Sequence, residues 1–136
     1  MIIRNMEKSD YSQVYELWNS SDEVVVNEDD SYENIANFLD INSGFCFVAE
    51  EKEIVAAILA GYDGRRGHIY HTIVRKDYRR RGIGGEIVDH VLNAFATLGV
   101  NEVDLLSLSS NNTGKVFWES KQFKICKQLN YWRKTF

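Results

Sequence analysis

Residues 54–61 (IVAAILAG) form an almost wholly apolar run, in a chain that contains no proline. A strand with this pattern is typical of the middle of a sheet, because a half-exposed strand alternates apolar and polar residues. Residues 45–49 are rich in aromatic and β-branched side chains, and a charged EEKE turn joins them to the run. The pattern therefore predicts a hairpin whose second strand is central in a sheet.

The rest of the chain alternates between helix and strand patterns. Helices are predicted at four places, with these candidate boundary residues: Asp10 with Gln13, Asp30 with Gly44, Gly82 with Gly99, and Asn112 or Thr113. Further strands are predicted at residues 2–4, 68–74 and 103–108, and two more within residues 123–136. In chain order the elements read βααβββαβαββ, so the predicted fold class is mixed α/β (α+β).

Length, charge and cysteine content exclude several classes of protein. The chain has 136 residues, which fits a single domain spanning residues 1–136. Its formal net charge of −4 argues against a nucleic-acid binder. Cys46 and Cys126 lack metal-ligand spacing, so neither a metal site nor a disulfide framework is expected. No apolar run reaches the roughly 18 residues that cross a bilayer, and we expect a cytoplasmic protein without membrane contact.

The alternation of residues 68–74 predicts where two histidines lie on a strand. One face carries His68, Tyr70, Thr72 and Val74, and the other carries Ile69, His71 and Ile73. The two histidines are therefore predicted to point in opposite directions, with His71 packed under a helix.

The segment YRRRGIGGE, residues 78–86, lies between a predicted strand and the start of the longest predicted helix. The first amides of a helix have no intrahelical acceptor, and the helix dipole adds positive charge there, so such a place suits phosphate groups. Glycines allow close approach and arginines add charge-assisted hydrogen bonds. The spacing is neither GxxxxGK[ST] nor GxGxxG, which excludes both of those nucleotide loops. The alternative is a solvated helix entry whose glycines are merely caps.

The string R-x-x-G-x-G from Arg79 to Gly84 resembles motif A of the GNAT superfamily of N-acetyltransferases. Residues 111–123 (NNTGKVFWESKQF) look like a second landmark of that superfamily, N-x-x-A-x-x-[LF]-Y-E-x-x-G-F. The resemblance covers essentially the whole chain. It implies a mostly antiparallel sheet of six to seven strands flanked by about four helices, with acetyl-CoA as the cosubstrate and no metal.

The same resemblance implies roles for individual residues. Those implied to bind the pyrophosphate through their amides are Arg80, Arg81, Gly82, Ile83, Gly84 and Gly85, and Arg79 is implied to bind the same cosubstrate. Those implied to hold the pantetheine arm and the thiol end are Thr72, Ile73, Val74, Asn111, Phe117 and Trp118. The Val74 amide would polarise the thioester carbonyl. Trp118 stands where the family usually has a tyrosine that protonates the leaving thiolate, a step that an indole N–H does not perform.

His68 is the candidate general base. A lysine-like amine has a pKa near 10.4, so about one molecule in a thousand is neutral at pH 7, and a proton acceptor speeds the reaction. His68 lies six residues before Val74, where some branches of the family that this chain resembles place a glutamate base. A histidine titrates in a suitable range. The alternative is that His68 merely begins a strand.

The distribution of charge favours a cationic acceptor. Residues 9–51 contain eleven Asp and Glu but no Lys or Arg, whereas seven of the sixteen basic residues lie within residues 65–81. This polarity predicts that a small amine or a protein amine is attracted to the acidic side. The predicted acceptor-binding residues are Trp18, Glu28, Asp29, Tyr32 and Tyr70. The alternative is that these carboxylates are ordinary surface groups.

Three functions remain open on the sequence. The first is an N-acetyltransferase in which the amine attacks acetyl-CoA directly in a ternary complex. The second is a non-catalytic module that binds or senses acyl-CoA, favoured by Trp118 and by the lack of an unambiguous base. The third is a nucleic-acid grip at residues 65–81, which the net charge discourages. The aromatic end at residues 131–136 could pair with a second subunit as a homodimer or cover the sheet.

Overall fold

A computed structural model describes all 136 residues of the chain. The strands are β1 (Ile2–Asn5), β2 (Phe47–Glu50), β3 (Ile54–Tyr62), β4 (Gly67–Val74) and β5 (Val103–Leu105). The helices are α1 (Tyr11–Asn19), α2 (Tyr32–Ile41), α3 (Ile83–Thr97) and α4 (Asn112–Ser120). Short 3-10 turns lie at Lys8–Asp10, Glu28–Asp30 and Lys76–Tyr78. The predicted order is confirmed from β1 through α4. None of the helices combines the length and the apolar character that a bilayer span requires.

The chain divides into two compact units, residues 1–106 and residues 107–136. The first unit holds one five-stranded sheet in the order β1-β2-β3-β4-β5. Its first three pairings are antiparallel and the β4–β5 pairing is parallel. The central position of β3 is confirmed, because residues 54–60 of this strand are all buried.

Helices cover both faces of this sheet. One core cluster joins α1 and α2 to the sheet through apolar residues that include Val14, Trp18, Leu39 and Ile73. The buried stripe of α3 lies outside that cluster. At Gly67 of β4, an added Cβ would lie 2.6 Å from the ring of Phe95, so glycine is required for α3 to pack this closely.

Strand β4 contains a β-bulge. On β3 a single residue, Leu59, stands between the partners of Ile69 and Thr72, whereas β4 has two residues there, Tyr70 and His71. An extra residue reverses the alternation of side chains beyond it. The faces predicted from strict alternation therefore hold only on one side of the bulge.

The bulge brings both histidines of β4 to the side of the sheet that α1 and α2 cover. The ring centroid of His71 lies 4.9 Å from that of Trp18 in α1, and Tyr70 lies 5.4 Å from Phe38 in α2. The His68 ring lies 4.5 Å from that of Tyr70. The prediction that the histidines point in opposite directions is wrong, although His71 does pack under a helix as predicted.

The predicted capping box at α1 is also wrong, because distant partners occupy its side chains. The Asp10 carboxylate accepts hydrogen bonds from Arg4 at 2.8 and 2.9 Å and makes none to the first turn of α1. The Gln13 side chain accepts from the amide of Ile54 at 3.0 Å. These contacts connect the first helix to β1 and β3.

Ser31, not Asp30, caps α2. The Ser31 hydroxyl accepts from the Asn34 amide at 3.2 Å. Asp30 is buried and its carboxylate lies 3.0 Å from Nε2 of His71. The residue that resembles a helix cap in the sequence thus joins the segment between α1 and α2 to β4.

The second unit contains α4 and no strand. The cap of α4 is Asn111, whose side chain accepts from the Gly114 amide at 2.8 Å, instead of Asn112 or Thr113. The two strands predicted within residues 123–136 are absent, and Tyr131, Trp132 and Phe136 are exposed. A β-prone composition forms a strand only where a partner ladder exists. The sheet therefore has five strands instead of the six to seven expected, and β5 ends at Leu105 instead of residue 108.

Candidate functional site

The turn that leads into α3 contains a row of free backbone amides. The first hydrogen bond of the helix runs from the Glu86 amide to the Gly82 carbonyl at 3.1 Å. The six amides of residues 80–85 find no backbone acceptor, and Gly82 provides no side-chain cap. This row lies where the sequence predicts a phosphate site, and we call residues 79–85 the phosphate turn.

The backbone conformation of this turn favours an anion. Arg80 has a φ of 63° and Gly82 has a φ of 81°, both in the left-handed region. Successive amides in such alternating conformations converge into a concave anion site, and the dipole of a fifteen-residue helix adds positive charge. A left-handed non-glycine residue costs about 1–2 kcal/mol. Arg80 holds this conformation at the position where the amides converge.

The seven residues of this turn that are predicted to bind the cosubstrate contribute in different ways. The side chains of Arg80 and Arg81 are exposed, and the Arg81 guanidinium lies 4.7 Å from the centroid of the Tyr78 ring. Ile83 is the first residue of α3 and its side chain is buried, so only its amide is available to a ligand. Backbone groups, supplemented by two exposed guanidinium groups, are thus the main resource of this turn.

Arg79 is engaged within the protein. Its Nε donates to the Val74 carbonyl at 3.1 Å, and its Nη1 donates to the Glu23 carboxylate at 3.3 Å. Val74 ends β4, and Glu23 belongs to the acidic segment between α1 and α2. Arg79 therefore connects the phosphate turn to the acidic segment, a contact that sequence reasoning missed.

Beyond Ile69, the outer edge of β4 has no partner strand, and we call it the free edge. The pairing with β5 includes only residues 67–69 of β4. On the other edge, the Arg75 amide donates to the Val55 carbonyl at 2.8 Å. Hydrogen-bonded and non-bonded pairs alternate in an antiparallel ladder, so the backbone of Ile73 faces β3 while the backbone of Thr72 and Val74 faces outward.

This alternation divides the three residues predicted to hold the pantetheine arm. Thr72 and Val74 present backbone groups at the free edge, where the Val74 carbonyl already accepts a hydrogen bond from Nε of Arg79. Ile73 pairs with Ala57 of β3, and its side chain is buried in the core. An extended, amide-containing ligand could therefore pair with Thr72 and Val74, but not with Ile73.

A groove of about 530 Å³ lies at the other end of β4. Its lining includes Phe38, Asn42, Tyr62, His68, Tyr70 and Asp104. Burial lowers the pKa of His68 below its usual value of about 6.5, and the nearby carboxylate of Asp104 opposes this shift only in part. His68 is therefore neutral at pH 7 and able to accept a proton.

A second histidine of β4, His71, is hydrogen-bonded to a carboxylate. Nε2 of His71 lies 3.0 Å from Oδ1 of Asp30, and the side chains are 24% and 10% exposed. The Asn27 amide donates to the other carboxylate oxygen at 3.2 Å, and the Tyr11 hydroxyl donates to the Asp30 carbonyl at 2.6 Å. We call Asp30 and His71 the buried dyad. No local pattern in the sequence indicates it, because its members are 41 residues apart.

The residues predicted to bind the acceptor do not all reach the surface. Glu28, Asp29 and Tyr32 are exposed in the segment before α2 and at its first turn. Trp18 is fully buried and packs against Tyr11, Tyr15 and His71, so the prediction that it contacts the acceptor is wrong. Its indole Nε1 has no hydrogen-bond acceptor. The sequence shows only that residue 18 lies on the apolar face of a helix, which fits a core residue as well as a residue that lines a cleft.

In the second unit, the three predicted thiol-end residues cluster around α4. The Asn111 side chain is occupied in capping the helix. The ring of Trp118 lies 4.9 Å from that of Phe117 and 5.3 Å from that of Phe123. Their contact with a cosubstrate stays a prediction.

Comparison with known proteins gives a consistent result. The model of the acetyltransferase (GNAT) family matches residues 11–119. An acetyltransferase of Sodalis glossinidius is 28% identical over 126 residues, which cover 92% of this chain and 88% of that protein. Ard1 from Thermoplasma volcanium has a similar structure, with a TM-score of 0.80, 20% identity and coverage of 91% of this chain and 82% of that one. The PaiA N-acetyltransferase of Thermoplasma acidophilum, solved with coenzyme A, has a TM-score of 0.78 at 14% identity, covering 91% and 89%.

Proposed function

This chain belongs to the acetyltransferase (GNAT) family, and from that premise we propose that it moves an acetyl group from acetyl-CoA to a primary, positively charged amine. Its use of an acyl-CoA follows from the family. The observation that carries the proposal is the row of free amides at residues 80–85, which occupies the turn that the family motif marks. A diphosphate is the group that such a row fits best.

The free edge of β4 provides a second contact for the same cosubstrate. The pantetheine arm contains amide groups. The outward backbone of Thr72 and the N–H of Val74, whose carbonyl accepts from Arg79, can pair with them as a neighbouring strand would. Val74 ends β4, and the phosphate turn begins five residues later at Arg79. The edge and the turn therefore follow one another along the chain in the order that an extended CoA molecule requires.

The chemistry needs three things from these residues. Acetyl-CoA supplies an activated acyl group, and the chain must place the amine against it, take a proton from the amine and stabilise the developing oxyanion. A backbone N–H of Thr72 or Val74 at the free edge is suited to the last task. The amine nitrogen then bonds to the carbonyl carbon, the C–S bond breaks, and the thiolate leaves.

His68 stays a prediction as the proton acceptor. Its neutral state suits the role. A strand rises about 3.3 Å per residue, so His68 lies roughly 20 Å from Val74 along β4. The two residues cannot both touch the reacting atoms. If Val74 polarises the thioester, His68 acts on the acceptor from the groove, at a distance from the reacting carbon.

A cationic acceptor is supported by charge. Glu28 and Asp29 are exposed beside Asp30, on the side of the sheet where His68, Tyr70 and His71 lie. No lysine or arginine lies within residues 9–51, and Arg79 pairs with Glu23 of this segment instead of with Glu28 or Asp29. We propose that either a small polyamine-like molecule or a protein amine approaches here.

One specific residue favours the sensing module as a second candidate. Trp118 occupies the position of the family's usual tyrosine, and an indole N–H does not donate its proton to a thiolate. A CoA thiol, with a pKa comparable to the ~8.5 of cysteine, leaves tolerably as its anion, so transfer is slowed without being abolished. Catalysis remains the first proposal for that reason.

Two measurements on the intact chain test the proposal. Acetyl-CoA at a hundredfold excess over its Kd should stabilise the fold by about 2.7 kcal/mol in thermal melting. Thiol release should then depend on an added amine, within a panel of polyamines, amino sugars and peptides. A melting shift without amine-dependent release supports the sensing module. The absence of any shift contradicts both CoA-based functions.

A further inference from the structure

We propose that His71, oriented by Asp30, takes the proton from the acceptor amine, an inference that rests on the proposed function. The Asp30 Oδ1 to His71 Nε2 distance of 3.0 Å is a normal hydrogen bond. When Nε2–H donates to the carboxylate, the Nδ1 lone pair is left to accept a proton. The His71 side chain is 24% exposed, so a substrate can reach it, whereas Asp30 is nearly enclosed.

The position of His71 on β4 favours it over His68. His71 directly precedes Thr72, whose backbone lies at the free edge where the cosubstrate is proposed to pair. His68 lies four residues from Thr72, or about 13 Å along the strand. The bulge is what turns His71 towards α1 and α2, the side from which the amine is proposed to approach.

The surroundings hold the imidazole of His71 in one orientation. Trp18 packs against the ring at 4.9 Å, nearly edge-on, with an interplanar angle of 68°. Asp30 is fixed by the Asn27 amide and by the Tyr11 hydroxyl. The titratable groups that face this region are Asp30, Tyr11 and Tyr15 from the covering elements and His68 and Tyr70 from β4 itself. The contacts of the His71 ring are with Asp30 and Trp18, so the Asp30 carboxylate supplies the close opposite charge for an imidazolium.

The step balances without any further reactant. An ammonium R–NH₃⁺ transfers one proton to Nδ1 of His71, and the Asp30 carboxylate stabilises the imidazolium. The neutral amine nitrogen bonds to the thioester carbonyl carbon, the C–S bond breaks, and the electron pair leaves with sulfur. The nitrogen loses its second proton to solvent, and His71 later returns its own proton to the thiolate or to water.

The test compares the pH dependence of kcat for the full chain and its variants, with acetyl-CoA and the best amine of the panel. We expect His71→Gln to lower kcat by about a hundredfold or more and to remove the acidic limb of the profile. Added imidazole should partly restore the rate of His71→Ala. Asp30→Asn should lower kcat as well, because the ring loses its charged partner.

Matched variants separate a chemical role from a structural one. His90→Gln makes the same replacement at an exposed site on α3 and should leave kcat and the acidic limb unchanged. Tyr11→Phe removes the hydrogen bond to the Asp30 carbonyl, so it should raise KM for the amine while keeping the limb. Acetyl-CoA should still raise the melting temperature of the His71 and Asp30 variants, which shows that they fold.

Two results would overturn the inference in different ways. If His71→Gln keeps its acidic limb while His68→Gln loses it, His68 is the proton acceptor and the buried dyad only anchors the segment before α2. If the unaltered chain releases no thiol with any amine, the proposed function fails and the inference fails with it. The unaltered chain therefore distinguishes the two failures.

Discussion

The two ends of strand β4 carry different kinds of candidate binding groups. At its carboxyl end, the phosphate turn at residues 79–85 offers backbone amides whose direction is set by two left-handed residues and a helix start. At its amino end and at the bulge, His68, Tyr70 and His71 offer side chains that long-range packing brings together. Backbone amides are present whatever side chains the turn carries, whereas the groups at the other end depend on the identity of each residue.

Gly82→Ala should produce the largest effect on cosubstrate binding. A Cβ at φ 81° is strained although no atom lies within 4 Å of it, so the turn must change its conformation and the amide row is disrupted. We expect the Kd for acetyl-CoA, measured by titration calorimetry, to rise at least about tenfold, which is 1.4 kcal/mol.

Gly99 provides the matched control for that change. It has a φ of 77°, equally open space, and a position after the other end of α3. Gly99→Ala should reduce the melting temperature about as much as Gly82→Ala but leave the Kd for acetyl-CoA as it was. Equal weakening of binding by both changes would show that the phosphate turn acts only through stability.

Arg79→Gln should have the next largest effect, because Arg79 connects the phosphate turn to the end of β4 and to the acidic segment between α1 and α2. The change removes the hydrogen bonds to the Val74 carbonyl and to Glu23. We expect the unfolding free energy to fall by about 1 kcal/mol and the Kd for acetyl-CoA to rise several-fold, less than in Gly82→Ala.

Glu23→Gln is the control, because it keeps the hydrogen bond from Arg79 to the Val74 carbonyl. Its effect on the unfolding free energy, measured by denaturant unfolding, should therefore be smaller than that of Arg79→Gln.

Arg80→Gly separates backbone from side-chain binding at one position. Glycine relieves the strain at φ 63° while it removes one exposed guanidinium. The unfolding free energy should rise slightly, and the Kd for acetyl-CoA should rise by less than about threefold at 0.15 M salt. A larger loss of affinity than that of Gly82→Ala would mean that side-chain charge, not the amide row, holds the phosphates.

The smallest expected effect concerns pH and His68. Burial lowers the pKa of His68 in the folded chain, so the unfolded chain binds more protons below about pH 6.5. Stability is therefore full above pH 6.5 and falls as the pH drops through the folded pKa. His68→Gln should lose less stability between pH 7.5 and pH 5 than the unaltered chain does, as measured by urea unfolding. An identical loss in both would contradict the burial of this imidazole.

The phosphate turn could be predicted from sequence because its signals are local. Arginines, glycines and the start of an amphipathic helix lie within nine residues, and α3 begins and ends where Gly82 and Gly99 indicate. The order of elements up to α4 has the same origin, in short apolar periods and turn residues. Local patterns determine local structure well.

The acceptor side could not be predicted, because distant contacts build it. A bulge opposite Leu59 reversed the expected faces of β4. The sequence suggests that Asp30 caps a helix, whereas in the fold Asp30 pairs with His71. The sequence also suggests that Trp18 lines a cleft, whereas in the fold the core encloses it. The aromatic composition of residues 123–136 suggests strands, but it contains no information about a partner strand.

The most direct test of the central claim is to record the amide resonances of residues 80–85 by NMR while coenzyme A is added to saturation. The amide resonances of these residues should shift strongly, and those of the residues around Gly99 at the opposite end of α3 should not shift. If saturating coenzyme A leaves the amide resonances of residues 80–85 unshifted while other amide resonances shift, the diphosphate binds elsewhere and the phosphate turn is not its site.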